Sequence, residues 1–393
     1  MRRIGNYIRR AAIAAVVASV LPVLNGCKIE PDLYLPSQDI VAEMPIVDVD
    51  LQTVWHLDID WENEWFYGWD EEDSIRWGGL SYPEPESWEI RRYYLGDVPD
   101  VPHTENGLSK YLIEKPRYRD RWQFGYHDLL VWTGFGYLPY GQAVIIDERD
   151  LDNVYATTSP VSSVNATKSL VIKDKKHYNC PEIFYRAYDR NIFISRDTAD
   201  YDYFDPVEKL WVKNLKETLT PAVYIYMVQV ILYNNKGKVV NLAAASEIDG
   251  LARITNVTTG YTLDETIGVV FDMRLKNHRD KKGTDVDVIG GKMTTFGLSG
   301  QKPYTPVRSS VYDGANKNVQ NYFGLNLKFN NNADSTYYYN VTDQFQRQVN
   351  GGIITVEINI DTLDIPVDPT PGSGSGFDPY VQDYEDQEYE IPM

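Results

Sequence analysis

Apolar and polar residues alternate along much of the chain. From Leu51 the odd positions are Leu51, Thr53, Trp55, Leu57, Ile59 and Trp61, and the even ones are Gln52, Val54, His56, Asp58, Asp60 and Glu62. A period of two buries one face of a strand and solvates the other, so a strand is expected over 51–61. The same alternation recurs at Val269, Phe271, Met273 and Leu275, at Phe323, Leu325, Leu327 and Phe329, and at Ile354, Val356, Ile358 and Ile360. Ala222–Tyr233 is apolar on both faces, as a strand buried on both sides would be. Asn235-Lys236-Gly237, Gly290-Gly291 and Asn350-Gly351-Gly352 read as turns between these runs. Long helices are not evident. The best candidate, Asp205–Trp211, has a plausible N-cap and Pro206 at the first helical position, and reads equally as a loop leading into a strand. Short strands with frequent turns point to an all-β fold of antiparallel β-sandwiches.

The two ends depart from this grammar. Arg2, Arg3, Arg9 and Arg10 precede a small-apolar run, Ala11 to Leu24, which is the layout of a secretory signal. The run is short for a membrane span, which needs about 20 apolar residues. It ends in Leu24-Asn25-Gly26-Cys27, which resembles a bacterial lipobox, so cleavage is expected between Gly26 and Cys27 with lipid on Cys27. Two or more acyl chains hold a protein on a membrane stably. Pro31, Pro36 and Pro45 among polar residues mark 27–44 as a tether. At the other end, 366–393 joins a Pro/Gly/Ser linker to an acidic tail read as disordered. Eight of the nine Trp precede residue 133, which argues for two cores. The organisation expected is a signal at 1–26, a tether at 27–44, sandwich domains at 45–204 and 205–365, and the tail.

Charge narrows the function. The chain has 38 Lys+Arg and 57 Asp+Glu, net −19. Removing residues 1–26 takes away four Arg and no acid, so 34 bases face 57 acids and the mature chain carries −23. No basic footprint remains for nucleic acid. Two Cys exclude a disulfide scaffold, and Cys180 reads as a small core residue.

Several motifs resemble the fimbrillin superfamily of Bacteroidetes, whose members are fimbrial shaft, tip and anchor proteins. Ser246–Ala252, after the strand Tyr224–Tyr233, is similar to the family's Ser-Gly-Met-Ala turn, though longer and more acidic. Asn340–Gln344, then Gly351-Gly352, then a strand ending Asp364-Ile365-Pro366, resembles its C-terminal strand pattern. The resemblance is best over 205–366. In the first half, Tyr67–Asp70 and Arg91–Tyr94 look like lipoproteins encoded beside such genes. It implies two tandem transthyretin-like Greek-key sandwiches on an outer-membrane lipoprotein, partnered by fimbrial subunits or other surface proteins. Shaft subunits of the family lose their first strand when a protease cuts after an Arg. The mature chain here has no Arg before Arg76, and a cut there would remove the 51–61 strand, which favours an uncleaved anchor or accessory subunit.

Chemistry-bearing patterns are sparse. His56, His103, His127, His177 and His278 never take the spacing of a zinc helix, and no nucleophile elbow, phosphate loop or dinucleotide fingerprint occurs. No catalytic residue, metal or cofactor is expected. Asp58, Asp60 and Glu62 have the spacing of calcium-loop acids, but Asn63 stands where Gly is needed, so a solvated strand face is favoured; Asp285 and Asp287 read the same way. Trp55 and Trp61 read as core. Trp65 and Trp69, in a polar stretch, are candidate glycan or interface aromatics. Ser74, Thr198 and Thr362 stand in Asp-Ser/Thr-aliphatic triplets and are candidate O-glycosylation sites. The leading expectation is a non-enzymatic surface lipoprotein of fimbrial anchoring or assembly. The alternative is a surface carbohydrate-binding lipoprotein of a glycan-uptake system.

Overall fold

The computed structural model describes residues 41–57, 59, 64–134, 143–161, 177–240, 243–279, 285–305 and 318–367. The chain is all-β. The first sheet holds β1 (Ile46–Thr53), β2 (Trp88–Gly96), β3 (Leu108–Ile113), β4 (Arg117–Arg121), β5 (Gly125–Thr133), β9 (Tyr185–Ile194), β10 (Tyr203–Asp205) and β11 (Leu210–Pro221), in the order β3-β2-β5-β9-β11-β1-β4 with β10 on β11. A small sheet joins β6 (Val144–Asp147), β7 (Tyr155–Thr158) and β14 (Ile254–Asn256). The second large sheet holds β8 (His177–Asn179), β12 (Tyr224–Tyr233), β13 (Ala243–Ala252), β15 (Thr266–Arg279), β16 (Asp285–Thr295), β17 (Tyr322–Lys328), β18 (Asp334–Asn340) and β19 (Gly352–Asn359). Its order is β18-β17-β13-β15-β16-β12-β19, with β8 beside β15. Most neighbours are antiparallel, but β1 on β11, β12 on β19 and β8 on β15 are parallel. Two short helices, α1 (Glu71–Trp77) and α2 (Thr342–Arg347), complete the picture.

The alternations at 269–275, 323–329 and 354–360 lie on β15, β17 and β19, and most of their apolar positions line one core. β12 shows why a run apolar on both faces is needed. Its even residues, Tyr224 to Leu232, enter that core. Its odd residues Ile225, Met227 and Ile231 enter a second core, shared with Val47, Val49, Trp65, Tyr67 and Leu129 of the first half. The outer face of the second sheet is therefore the floor of the first half. Elements also cross over, since β8 pairs with β15 and β14 with β7.

The one polar residue on the odd face of β12 is Gln229, which is fully buried. Its amide oxygen accepts from the N–H groups of Phe66 (2.8 Å) and Tyr67 (3.2 Å), and its nitrogen donates to Glu64 O (2.7 Å) and Thr355 Oγ1 (2.9 Å). An amide has two acceptor and two donor places, and all four are filled. Residues 64–67 thus lie on the sheet without a strand of their own. Tyr67 then packs over Gly290, where an added Cβ would stand 2.3 Å from the ring.

Five expectations need correction. The strand expected at 51–61 is β1, Ile46–Thr53, because its ladder with β11 ends at Thr53. Of the two readings of Asp205–Trp211, the helix fails and the loop leading into a strand holds: Asp205 accepts from the N–H groups of Val207 and Glu208, and Lys209 takes a φ of 59° in the hairpin turn before β11. Gly290-Gly291 lies inside β16, where only glycine leaves room for Tyr67. Ser246–Ala252 is the end of β13, with a bulge between Ile248 and Leu251, not a turn. The C-terminal strand ends at Asn359, before Asp364.

Gly290→Ala should lower stability by about 1–3 kcal/mol through overpacking against Tyr67. In a Tyr67→Ala background the same change should cost far less. Urea unfolding of the four proteins of this cycle checks it, and additive losses would show that the ring is not the obstacle.

Candidate functional site

An all-β protein is open to partners where backbone N–H and C=O groups lack a ladder, so each strand edge bears on function. The β4 edge reads Arg-Tyr-Arg-Asp-Arg, which is charged and short. Arg117 forks onto Asp48 (2.7 and 2.5 Å), and Arg119 onto Asp205 (2.9 Å) and Glu208 (3.2 Å). The β19 edge is sealed by α2. Gln344 donates to Thr355 O (2.9 Å) and accepts from its N–H (2.8 Å), while Gln348 does the same at Ile353 (2.8 and 2.7 Å). Gln344 on α2 and Gln348 at its C-cap lie four residues apart, and their two amides stand in for a neighbouring strand. Beside β18, Tyr337 donates to Asp364 O (2.7 Å), which ties residues 361–366 over that flank.

β9 and β11 meet differently. Among the described residues they pair only at Arg186–Thr220 and Tyr185–Pro221. Beyond that point they part, β9 staying on β5 and β11 on β1. β1 bonds to the odd residues of β11, as Val54 N–H does to Leu219 O (2.9 Å), so the even residues turn their N–H and C=O groups toward β9. At the far end Asp202 takes up Val212 O (2.9 Å) and Asn214 N–H (2.6 Å). Lys216 and Thr218 lie between, exposed, laddered to β1 on one side and, among the described residues, without a ladder partner on the β9 side. The seam presents two strand edges to one gap, whereas the β3 edge presents one.

A carboxyl pair marks this seam. On β11, Leu215, Glu217 and Leu219 share the inward face, and Glu217 is only 8% exposed. Burial, and then the charge of Asp189 on β9, push its carboxyl up to about 7, and the protonated group hydrogen-bonds Asp189 across the gap. The other buried acid near β9, Asp128, is fully engaged. It takes His103 Nε2 (2.9 Å), Tyr188 OH (2.7 Å) and Asn191 N–H (2.8 Å), with the His103 ring stacked 3.9 Å from Tyr93.

A second polar cluster fixes α1 to the second sheet. Asp70 and Asp73 form a capping box, each accepting the other's N–H at 3.0 Å. Asp73 is fully buried. It also accepts Tyr67 OH (2.9 Å) and Arg274 (3.1 Å) and pairs with Lys276, which lies 4.1 Å over the Tyr67 ring. Burial, and then the Asp73 bond, hold the Tyr67 phenol well above its usual range. The Lys276 ammonium, and then the Asp73 N–H, hold Asp70 below the usual carboxylate range.

The residues singled out from sequence fall as follows. Gly26 and Cys27 lie outside the described residues, as do Asp58, Asp60 and Glu62. Trp65 is 8% exposed in the shared core, so it has no free face for a sugar. Trp69 is half-buried, with its ring 5.5 Å from Trp77. Ser74 is exposed on α1, Thr198 half-buried in a single helical turn, and Thr362 exposed after β19. These residues are not brought together. Among the described residues no three His, Cys, Asp or Glu converge as metal ligands, and no helix is long and apolar enough to cross a membrane. Sequence reasoning missed Gln229, Gln344, Gln348, Glu217 and Asp189. The acid between Leu215 and Leu219, and the i, i+4 glutamines, were signals that could have exposed two of these features.

No family model matches the chain, and no curated protein matches it. Solved structures similar to it include a candidate adhesin from Bacteroides ovatus, at 14% identity and a TM-score of 0.48, covering 81% of this chain and 93% of that one. Another is a candidate cell adhesion protein from Bacteroides eggerthii, at 11% and 0.41, covering 82% and 88%. A third is the fimbrial anchor protein Mfa2 from Porphyromonas gingivalis, at 9% and 0.32, covering 79% and 90%.

The Glu217 carboxyl gives the seam a pH dependence. Its folded pKa lies above that of the unfolded chain, so the folded state binds more protons between about pH 4.5 and 7 and loses stability as pH rises through that window. The loss is on the order of 2 kcal/mol. Glu217→Gln should remove this component, which denaturant unfolding at pH 5 and pH 7.5 would register. An identical slope in both proteins would rule the pair out as its source.

Proposed function

We propose that the chain is a non-enzymatic, lipid-anchored protein of the outer membrane, exposed at the cell surface, which contributes to fimbrium anchoring or assembly and so to adhesion. Its contact is a partner strand taken into the seam between β9 and β11. The observation that carries this reading is the seam itself. Two edges face one gap there, while the β4 and β19 edges are closed by arginines and glutamine amides. Main-chain bonds on both sides would supply affinity, and alternate side-chain positions register. The anchor is Cys27, at the end of the signal.

The subunit works uncleaved. β1 lies between β11 and β4, pairing with eight residues of the former and five of the latter. A cut at Arg76 would remove β1 together with Tyr67 and Asp73, and so strip the first half of its inner strand and its seat on the second sheet.

The test is a Lys216→Pro, Thr218→Pro variant, which deletes two N–H groups that face the seam and carry no ladder bond in the free protein. The melting transition should stay in place. Co-purification with fimbrial subunits from a cross-linked surface fraction should fall about tenfold, the equivalent of one or two strand hydrogen bonds. Undiminished recovery would remove the seam from the contact. A mature N-terminus beyond Arg76 on cells would defeat the uncleaved role.

A further inference from the structure

We propose that the β10–β11 hairpin is a lipid-facing tip that dips into the membrane interface beside the anchor; this rests on the reading of Cys27 as the lipidated residue. The starting observation is where exposed apolar side chains gather. Val207 at the apex is 87% exposed, and Tyr203 and Phe204 on the flank are 40% and 46% exposed. Trp211 backs them, its ring 5.6 Å from Phe204 and 6.3 Å from Tyr201. Aromatic rings with one polar end favour the boundary between headgroups and acyl chains.

The occupant is named by where the chain leads. β1 runs parallel to β11 and starts beside it, with Ile46 opposite Val212. The apex and the start of β1 are therefore at the same end of the sheet. Val41, the first described residue, is held there by its N–H bond to Arg196 O (2.7 Å). Fourteen residue steps separate Val41 from Cys27, a reach of at most about 50 Å. The tip thus stands on the side of the molecule from which the tether leaves.

The backbone of the apex suits a place without water. Pro206 has no N–H. Val207 and Glu208 donate theirs to Asp205 Oδ1 (2.9 and 3.2 Å), and Lys209 donates to Asp205 O (2.8 Å). No N–H of the turn needs solvent, so the donors of the turn meet their half of the condition for approaching hydrocarbon, and its carbonyls can stay at the headgroup level. Its charges are also matched. Arg119 pairs with both Asp205 and Glu208, and Lys209 balances the second acid.

The experiment uses the full lipidated protein in phosphatidylcholine–phosphatidylglycerol vesicles containing a lipid with a spin-labelled acyl chain. A fluorophore is attached at Val207→Cys or, in a second protein, at Val240→Cys on the exposed turn after β12. The expected result is quenching several-fold stronger at 207 than at 240, reduced by a further Phe204→Ser change. Both label sites are exposed, and an unchanged melting transition verifies the fold. Vesicle-bound protein with equal quenching at the two sites overturns the tip, as does a label at 207 that reports only a second copy. Protein that fails to float with vesicles instead overturns the lipid anchor, and the tip with it.

Discussion

A strand buried on both faces has to satisfy any polar side chain it carries from inside the protein, and β12 carries Gln229. Its four hydrogen bonds hold residues 64–67 flat on the second sheet, where they have no ladder of their own. From that fixed point the rest follows in order. Tyr67 covers Gly290, its hydroxyl reaches Asp73, and Asp73 gathers Arg274 and Lys276 from β15. Without it, Ile225, Met227, Ile231, Val286 and Val288 would face water. A contiguous apolar patch of that kind is one that soluble monomers rarely expose. The two halves are therefore stacked through one layer instead of strung in line.

Burying a charge as deeply as Asp73 is costly unless every lone pair is used. Here both oxygens accept two partners, so the cluster fixes geometry more than it adds stability. The same economy governs the sheet edges. Where a neighbour strand is missing, β19 borrows two glutamine amides and β4 presents arginines. The seam between β9 and β11 has neither device. It has instead an acid facing an acid, which stays quiet only while one of them keeps its proton.

Much of this was legible in the chain. The alternation of Val269–Leu275, Phe323–Phe329 and Ile354–Ile360 places the inner face of the second sheet, and the Ala222–Tyr233 run, polar only at Gln229, announces a strand with two covered sides. The errors share a cause. Gly290-Gly291 carries turn chemistry, yet it lies within β16 because a ring over two hundred residues away needs the space. Trp65 stands among polar neighbours, yet it is buried because Gln229 fixes the backbone next to it. Asp205–Trp211 has a helix-like opening, and its Asp cap is real. The N–H groups it caps belong to a hairpin, because β10 has β11 to pair with.

The sequence by itself determined the strands, their buried faces and the acidic composition, because these depend on side-chain chemistry at a period of two or on local composition. It could not determine which edges stay open. An edge is open or closed according to groups brought from elsewhere in the chain, such as Gln344 and Gln348 against Ile353 and Thr355, or Asp202 against Asn214. A backbone N–H is the same in every residue but proline, so its partner leaves no mark on the residue that carries it. Only the tertiary structure could show that β9 and β11 meet over two residue pairs and then separate.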